Sequence, residues 1–106
     1  METFKGNANL DGMIKSCKIV VIDIFSNWCM PCKALTPILE DLEKEYVGKV
    51  KFYKIDVTED PPKFVLDMGI RNVPTLIFYK DGELKMQETG YKNKTIITEI
   101  LNKLIA

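Results

Sequence analysis

The segment WCMPCK at residues 28–33 constrains the fold more than any other feature, because it separates an apolar run from an amphipathic stretch. The run IVVIDIF at 19–25 is rich in β-branched residues and is long enough for a strand buried on both faces. After the second cysteine, apolar residues at 34, 35, 38, 39, 42 and 46 recur at the spacing of one helix face. The two cysteines therefore lie where a buried strand turns into a helix.

This position favours redox chemistry at the two thiols. A pair of cysteines separated by two residues can close a small disulfide ring. Because Cys32 begins the helix, Cys29 lies where backbone N–H groups and the helix dipole favour a thiolate. We expect Cys29 to be the exposed nucleophile and Cys32, one turn further on and deeper, to be the resolving thiol.

Asp23 interrupts the apolar strand six residues before the first thiol. A carboxyl group in such a strand loses its solvation, which raises its pKa. A carboxyl with a raised pKa can accept a proton from Cys32 and later return it, so Asp23 is the candidate proton acceptor and donor. The alternative is a purely structural carboxyl that is satisfied by backbone or water.

Size and charge restrict the remaining function classes. A chain of 106 residues with 46% hydrophobic content fits a single domain over 1–106. Fifteen basic and fifteen acidic residues, without histidine, remove the basic footprint of a nucleic-acid or membrane-surface binder. The first residues lack a signal-peptide pattern, and no apolar run approaches the ~20 residues of a membrane span. We therefore expect a cytoplasmic protein that binds neither nucleic acid nor membrane.

Caps, turns and periodicity predict the other elements. Asn9 is a helix N-cap, Gly48 ends the long helix, and Asp60 with Pro61 opens a short helix. The pair DG at 81–82 is a strong hairpin signal. In chain order we predict a strand at 3–5, a helix over 10–17, a strand over 18–25, the long helix, a strand over 49–57, a short helix to 69, strands over 74–80 and 83–89, and a helix over 93–106.

Signals spread along the chain resemble the thioredoxin family over roughly residues 8–106. The matching positions are Asp23, Trp28, Cys29, Pro31, Cys32, Lys33, Pro37, Pro74 after Val73, Gly82 and Gly90. The resemblance implies an α/β fold, with a central mixed β-sheet of four to five strands flanked by helices on both faces. It also implies a protein-disulfide reductase of cell redox homeostasis that uses the redox disulfide Cys29–Cys32. Such a protein acts as a monomer without cofactor or metal, reduces oxidised client proteins, and is recharged by a thioredoxin reductase.

The resemblance further implies a client-binding surface. It implies a cis peptide bond at Pro74, which leaves the Val73 backbone free to pair with an extended client segment. We expect an apolar rim around Cys29. The expected binding residues are Trp28, Met30, Pro31, Ile70, Val73, Pro74, Gly90 and Tyr91.

Three departures from the family pattern are informative. Met30 stands where glycine is usual, so the resemblance does not give the reduction potential or the range of partners. The lysine that many bacterial members place near the buried aspartate falls at Phe52, with Lys54 about 6.6 Å further along the same face. We therefore expect the pKa of Asp23 to be raised more strongly than in those relatives. Cys17 lies outside the motif and is expected to be a small, buried or half-buried apolar residue at a helix end, with a regulatory thiol as the alternative.

Three other functions compete with a reductase. A zinc site needs four ligands, and the chain has no histidine and only one cysteine besides the pair. A non-catalytic binding subunit of the same fold would need none of Cys29, Cys32, Asp23 and Pro74 together. A disulfide oxidant or isomerase, tuned by the Met-Pro dipeptide, is disfavoured by the expected location.

Overall fold

The computed structural model describes the whole chain, Met1 to Ala106. Its elements are β1 (Glu2–Phe4), α1 (Leu10–Ile14), β2 (Ile19–Phe25), α2 (Met30–Glu45), β3 (Val50–Asp56), α3 (Lys63–Asp67), β4 (Thr75–Lys80), β5 (Glu83–Thr89) and α4 (Lys94–Ile105). None of these helices combines the length and the apolarity that a membrane crossing would need.

The five strands form one mixed sheet in the order β1-β3-β2-β4-β5. The β2 strand is central; it pairs in parallel with β3 and antiparallel with β4. The first strand adds in parallel to the free side of β3, and β5 adds antiparallel to β4. The two parallel strands β2 and β3 are joined through α2, as a parallel pair requires. The predicted mixed sheet is confirmed.

Each face of the sheet carries its own apolar core. On β2, Val20, Ile22 and Ile24 face a cluster that includes residues of α1 and α3. The alternate residues Ile19 and Val21 face a second cluster, to which α2 and α4 contribute. Because side chains alternate along a strand, Asp23 lies on the same face as Ile19 and Val21, toward α2. The helices on both faces therefore bury the central strand together with its one carboxyl group.

The hairpin between β4 and β5 confirms the turn signal. Asp81 and Gly82 have φ values of 53° and 77°, which is the left-handed region that a two-residue hairpin turn of this kind requires. Further along the pair, Phe78 lies opposite Met86 and Tyr79 lies opposite Leu84. The residue between these two pairs on β5 is therefore the extra residue of a bulge.

Three helices differ from the sequence prediction. The α2 helix ends at Glu45 with Tyr46 as its C-cap, so the prediction that Gly48 caps it is wrong. The α1 helix ends at Ile14 instead of residue 17, and the Ser16 hydroxyl donates a hydrogen bond to the Met13 carbonyl just beyond that end. Such local bonds compete with helix continuation. The α3 helix begins at Lys63 with Pro62 as its N-cap, so the prediction that Asp60 and Pro61 open it is wrong. A residue before proline is disfavoured from helical geometry, which keeps Pro61 out of the helix.

The core on the α2 side generates a prediction of stability. Leu39→Ala removes a side chain with no exposed surface and leaves a cavity, so the free energy of unfolding should fall by about 2 to 5 kcal/mol. Leu66→Ala is the matched control, because Leu66 is 61% exposed and its truncation should change that free energy by less than about 0.5 kcal/mol. Urea unfolding of the three proteins checks both values, and equal losses in the two variants would contradict this description of the core.

Candidate active site

The two thiols of the CxxC segment are joined where β2 passes into α2. Cys29 is the N-cap residue of α2 with extended backbone, and its sulfur accepts a hydrogen bond from the Cys32 backbone N–H at 3.2 Å. Pro31 occupies the first turn, where a backbone N–H would have no partner within the helix. A disulfide links Cys29 to Cys32, with their Cα atoms 5.2 Å apart. After reduction, the same N–H and the helix dipole would favour negative charge on Cys29.

The accessibility of this pair differs from the sequence prediction. Cys29 is only 5% exposed and Cys32 is 2% exposed, so the expectation of an exposed Cys29 is wrong for the disulfide form. The sulfur of Cys29 is bonded to the Cys32 sulfur and also accepts a hydrogen bond from the Cys32 backbone N–H. The neighbouring side chains of Trp28 and Met30 are instead 72% and 71% exposed.

Asp23 is the buried carboxyl group of the site. It has no exposed surface, and neither of its side-chain oxygens has a hydrogen-bond partner within the protein. Burial raises the pKa of Asp23 from 3.8 to about 7, against the opposing effect of the Lys54 ammonium. The carboxyl therefore takes up and releases a proton close to neutral pH, as a proton acceptor for a thiol must.

The strand register corrects the prediction about the lysine near this carboxyl. Lys54 lies directly opposite Asp23 in the β2–β3 pair, whereas Phe52 lies opposite Val21. The expectation that Asp23 has no lysine beside it is therefore wrong, and so is the premise for an unusually strong pKa shift. The sequence pattern put Lys54 on the correct face of the sheet, but two residues beyond the position opposite Asp23 that it occupies.

Sequence reasoning missed three polar residues, Ser26, Asn27 and Thr36, that line a pocket beside Cys32. The pocket has a volume of about 200 Å³ and is lined by Phe25, Ser26, Asn27, Cys32, Lys33, Thr36 and Lys54. The Thr36 hydroxyl accepts a hydrogen bond from Lys54 Nζ at 3.2 Å and donates one to the Cys32 carbonyl at 3.2 Å. The Ser26 hydroxyl is buried without a hydrogen-bond partner. A threonine one helical turn after the second cysteine was the signal available for Thr36.

The loop before β4 lies at the same end of the sheet. Thr75 pairs with Ile24, so Pro74 lies near the point where β2 leads into the CxxC segment. The Val73–Pro74 peptide bond is cis, as the resemblance implied. The Pro74 carbonyl accepts a hydrogen bond from the Gly90 N–H at 2.8 Å, which ties this loop to the end of β5.

The expected apolar rim has uneven exposure. Trp28, Met30 and Tyr91 are exposed, and Val73 is half-buried. Ile70 is 8% exposed and packs in the core on the α1 and α3 side, so it offers almost no surface for a client. Ile70 is thus a core residue instead of a rim residue. Its position in the sequence, just after a short helix, did not indicate this burial.

Cys17 lies away from the disulfide. It is half-buried, packs against the core on the α1 and α3 side, and directs its sulfur toward the Lys49 carbonyl at 3.5 Å. Cys17 is thus half-buried, within the buried or half-buried range expected for it, but it does not lie at a helix end, because α1 ends three residues earlier.

Several known thioredoxins resemble this chain in sequence or structure. The thioredoxin family model matches residues 3–103. The chain is 38% identical over 98 residues to an M-type chloroplastic thioredoxin of Triticum aestivum, which covers 92% of this chain and 55% of that protein. It is 41% identical over 86 residues to thioredoxin C-2 of Corynebacterium nephridii, which covers 81% and 79% of the two chains. A mutant thioredoxin from Halobacterium salinarum NRC-1 has a TM-score of 0.86 at 25% identity, over 99% of this chain and 92% of that one. The chain spans about half the length of the chloroplastic relatives it matches.

The buried carboxyl predicts how stability depends on pH. Because the pKa of Asp23 is raised to about 7 in the folded protein, the folded state holds this proton between about pH 4 and pH 7 and the unfolded state does not. Stability should therefore fall as pH rises through this window. Relative to Asp23→Asn, the free energy of unfolding of the wild type should fall by about 1.4 kcal/mol per pH unit between about pH 4 and pH 7. Above about pH 7 the difference between the two proteins should stay constant.

Urea unfolding of both oxidised proteins from pH 5 to pH 8.5 measures this difference, because the other titrating groups are common to the two proteins. If the difference in free energy of unfolding between wild type and Asp23→Asn were the same at pH 5 and pH 8, the pKa of Asp23 would not be raised.

Proposed function

The chain belongs to the thioredoxin family, and from that premise we propose that it is a protein-disulfide reductase. The single observation that carries the proposal is the Cys29–Cys32 disulfide at the start of α2, on the side of the sheet where a buried Asp23 titrates near neutral pH. A binding module whose thiols were idle would need neither this ring nor this carboxyl.

In the first half of the reaction, Cys29 is the attacking thiolate. Its sulfur attacks one sulfur of a client disulfide, a bond forms between Cys29 and that sulfur, and the other client sulfur leaves as a thiolate that takes up a proton. The backbone N–H of Cys32, which bonds to the Cys29 sulfur in the oxidised form, would stabilise the thiolate in the reduced form.

In the second half, Cys32 resolves the mixed disulfide. Cys32 is buried on the α2 face that packs against the sheet, and Asp23 lies on the sheet face that α2 covers. The Asp23 carboxylate accepts the Cys32 proton, directly or through one water, and the Cys32 sulfur then attacks Cys29. The second client sulfur leaves as a thiolate. Two electrons have passed to the client, and the Cys29–Cys32 disulfide and a protonated Asp23 remain.

Client proteins would dock on the apolar surface around this ring. Trp28, Met30 and Tyr91 provide exposed aromatic and thioether groups, which adapt to partners of different shape. The Val73 backbone, before the cis bond at Pro74, would pair with an extended client segment as an added strand. Pro31 and Gly90 complete the surface that we assign to client binding.

The same proposal includes the partners and the place of action. A thioredoxin reductase would return the disulfide to the dithiol, and oxidised proteins would be the clients. We assign the protein to the cytosol, because the reaction starts from the reduced Cys29–Cys32 dithiol and the cytosol keeps thiols reduced. A monomer suffices, since Cys29, Cys32 and Asp23 all come from one chain.

Serine variants of the three cysteines test the reaction. Cys29→Ser should reduce the rate of insulin reduction to the background of the assay, because no thiolate remains to attack. Cys32→Ser should also stop turnover and accumulate a mixed disulfide between Cys29 and the client, visible as a covalent adduct by mass spectrometry. Cys17→Ser is the matched control and should keep wild-type activity. Retained activity in Cys29→Ser would refute the proposal.

A redox titration of the Cys29–Cys32 couple separates a reductase from an oxidant. We expect a potential close to the reducing end of the range of such couples, at about −270 mV, which is the general value for thioredoxin itself. A potential close to about −120 mV, as in strong disulfide oxidants, would instead indicate that this protein, with Met30 and Pro31 between its cysteines, is an oxidant.

A further inference from the structure

We propose that Thr36 is a positioning residue, which holds the Lys54 ammonium away from the Asp23 carboxyl and thereby sets how readily that carboxyl accepts the Cys32 proton. The role in proton transfer rests on the proposed reductase function. The tether between Thr36 and Lys54 does not, because it is a property of the folded, oxidised protein.

The first observation is an ion pair that the register permits and the structure lacks. Lys54 lies directly opposite Asp23 on the neighbouring strand, and both side chains are on the α2 face of the sheet. Nevertheless neither Asp23 oxygen has a hydrogen-bond partner, although both are buried. An ammonium this close in register would stabilise a buried carboxylate, so its placement away from Asp23 points to another partner for Lys54.

Thr36 accounts for this position of the ammonium. Its hydroxyl accepts a hydrogen bond from Lys54 Nζ at 3.2 Å, and the Phe25 ring lies under the same nitrogen at 4.3 Å to its centroid. The ammonium thus has a hydroxyl partner and a cation–π contact, and Lys54, Thr36 and Phe25 all line the pocket beside Cys32.

The Thr36 hydroxyl is itself fixed in direction. It donates its proton to the Cys32 carbonyl one helical turn back at 3.2 Å, so a lone pair remains to accept from Lys54. The β-branched side chain of threonine restricts the torsion that would swing the hydroxyl away. Thr36 therefore ties the lysine charge to the turn of α2 that carries the resolving cysteine.

The charge of Lys54 matters because few other groups act on Asp23. Leu76 lies opposite Asp23 on β4, and α2 contributes the Cys32 sulfur and apolar leucines to this face. Lys54 is the one charge that opposes burial at this carboxyl. In a poorly solvated site the interaction of two opposite charges strengthens steeply as they approach. An ammonium released toward Asp23 would stabilise the carboxylate and weaken it as a base for the Cys32 thiol.

Titration of Asp23 in the oxidised protein tests the tether directly. The probe is the side-chain carboxyl carbon of Asp23 in protein labelled with ¹³C-aspartate, assigned by its loss in Asp23→Asn. Thr36→Val keeps the shape of the side chain but removes the hydroxyl, so the pKa of Asp23 should fall by about one pH unit or more. Thr36→Ser keeps the hydroxyl and should titrate as the wild type does.

A Lys54→Met background distinguishes the tether from a general disturbance of the helix. Without the ammonium, Thr36→Val has nothing to release, so it should leave the Asp23 titration of Lys54→Met unchanged. The proposal is overturned if Thr36→Val leaves the pKa of Asp23 at its wild-type value, raises it, or lowers it equally in both backgrounds. If Thr36→Val failed to fold, Thr36→Ala would replace it in the same two backgrounds, with the same expected and contradicting results.

The pH dependence of insulin reduction then tests the role in proton transfer. The acidic limb of the rate profile should move to lower pH in Thr36→Val by the same amount as the Asp23 titration, and Thr36→Ser should restore it. A limb that stays in place while the titration moves would overturn the role of Thr36 in the reaction. Lack of insulin reduction by the wild type would instead refute the reductase function, with the titration still deciding the tether.

Discussion

The structure depends on the burial of β2 between two helical layers. Every residue of this strand except Phe25 is buried, and its two faces belong to two separate apolar cores. Burial on both faces fixes the register of β2 against β3 and β4, because a slip by one residue would exchange the two sets of side chains. It also removes water from Asp23, which therefore has a pKa near neutral pH. The same constraint thus stabilises the fold and prepares the chemistry.

The position of the thiols follows from how this strand ends. Beyond Phe25 the chain leaves the sheet at the end where parallel β3 also finishes. Four residues later it reaches Cys29, the N-cap residue of α2, whose sulfur accepts the Cys32 backbone N–H. A strand buried on both faces cannot carry an accessible reactive group along its length, so the thiols occupy the first place after it where a helix N-terminus is available. The carboxyl remains behind in the strand, on the side that α2 covers.

Much of this arrangement could be predicted from the sequence, because it depends on local patterns. The buried strand, the long helix after the CxxC segment and the hairpin at Asp81 follow from periodicity and turn chemistry, and all three are present. The start of α3 was missed since the second of two adjacent prolines excludes the first from the helix. The partner of Asp23 was missed for a different reason: the register between β2 and β3 is set by packing across the whole sheet, and no short pattern in either strand encodes it. The low exposure of Cys29 likewise belongs to the folded disulfide form, in which its sulfur is bonded to Cys32 and accepts the Cys32 N–H, and no sequence pattern shows it.

The two edge strands determine how readily the sheet can pair with a strand of another chain. One edge is β1, with only three residues, and the other is β5, which is interrupted by the bulge and carries charged side chains such as Glu83 and Lys85. Short, bulged and charged edges are poor templates for a further strand from another chain. Growth of the sheet by edge-to-edge pairing with another copy of the chain is therefore disfavoured at both edges.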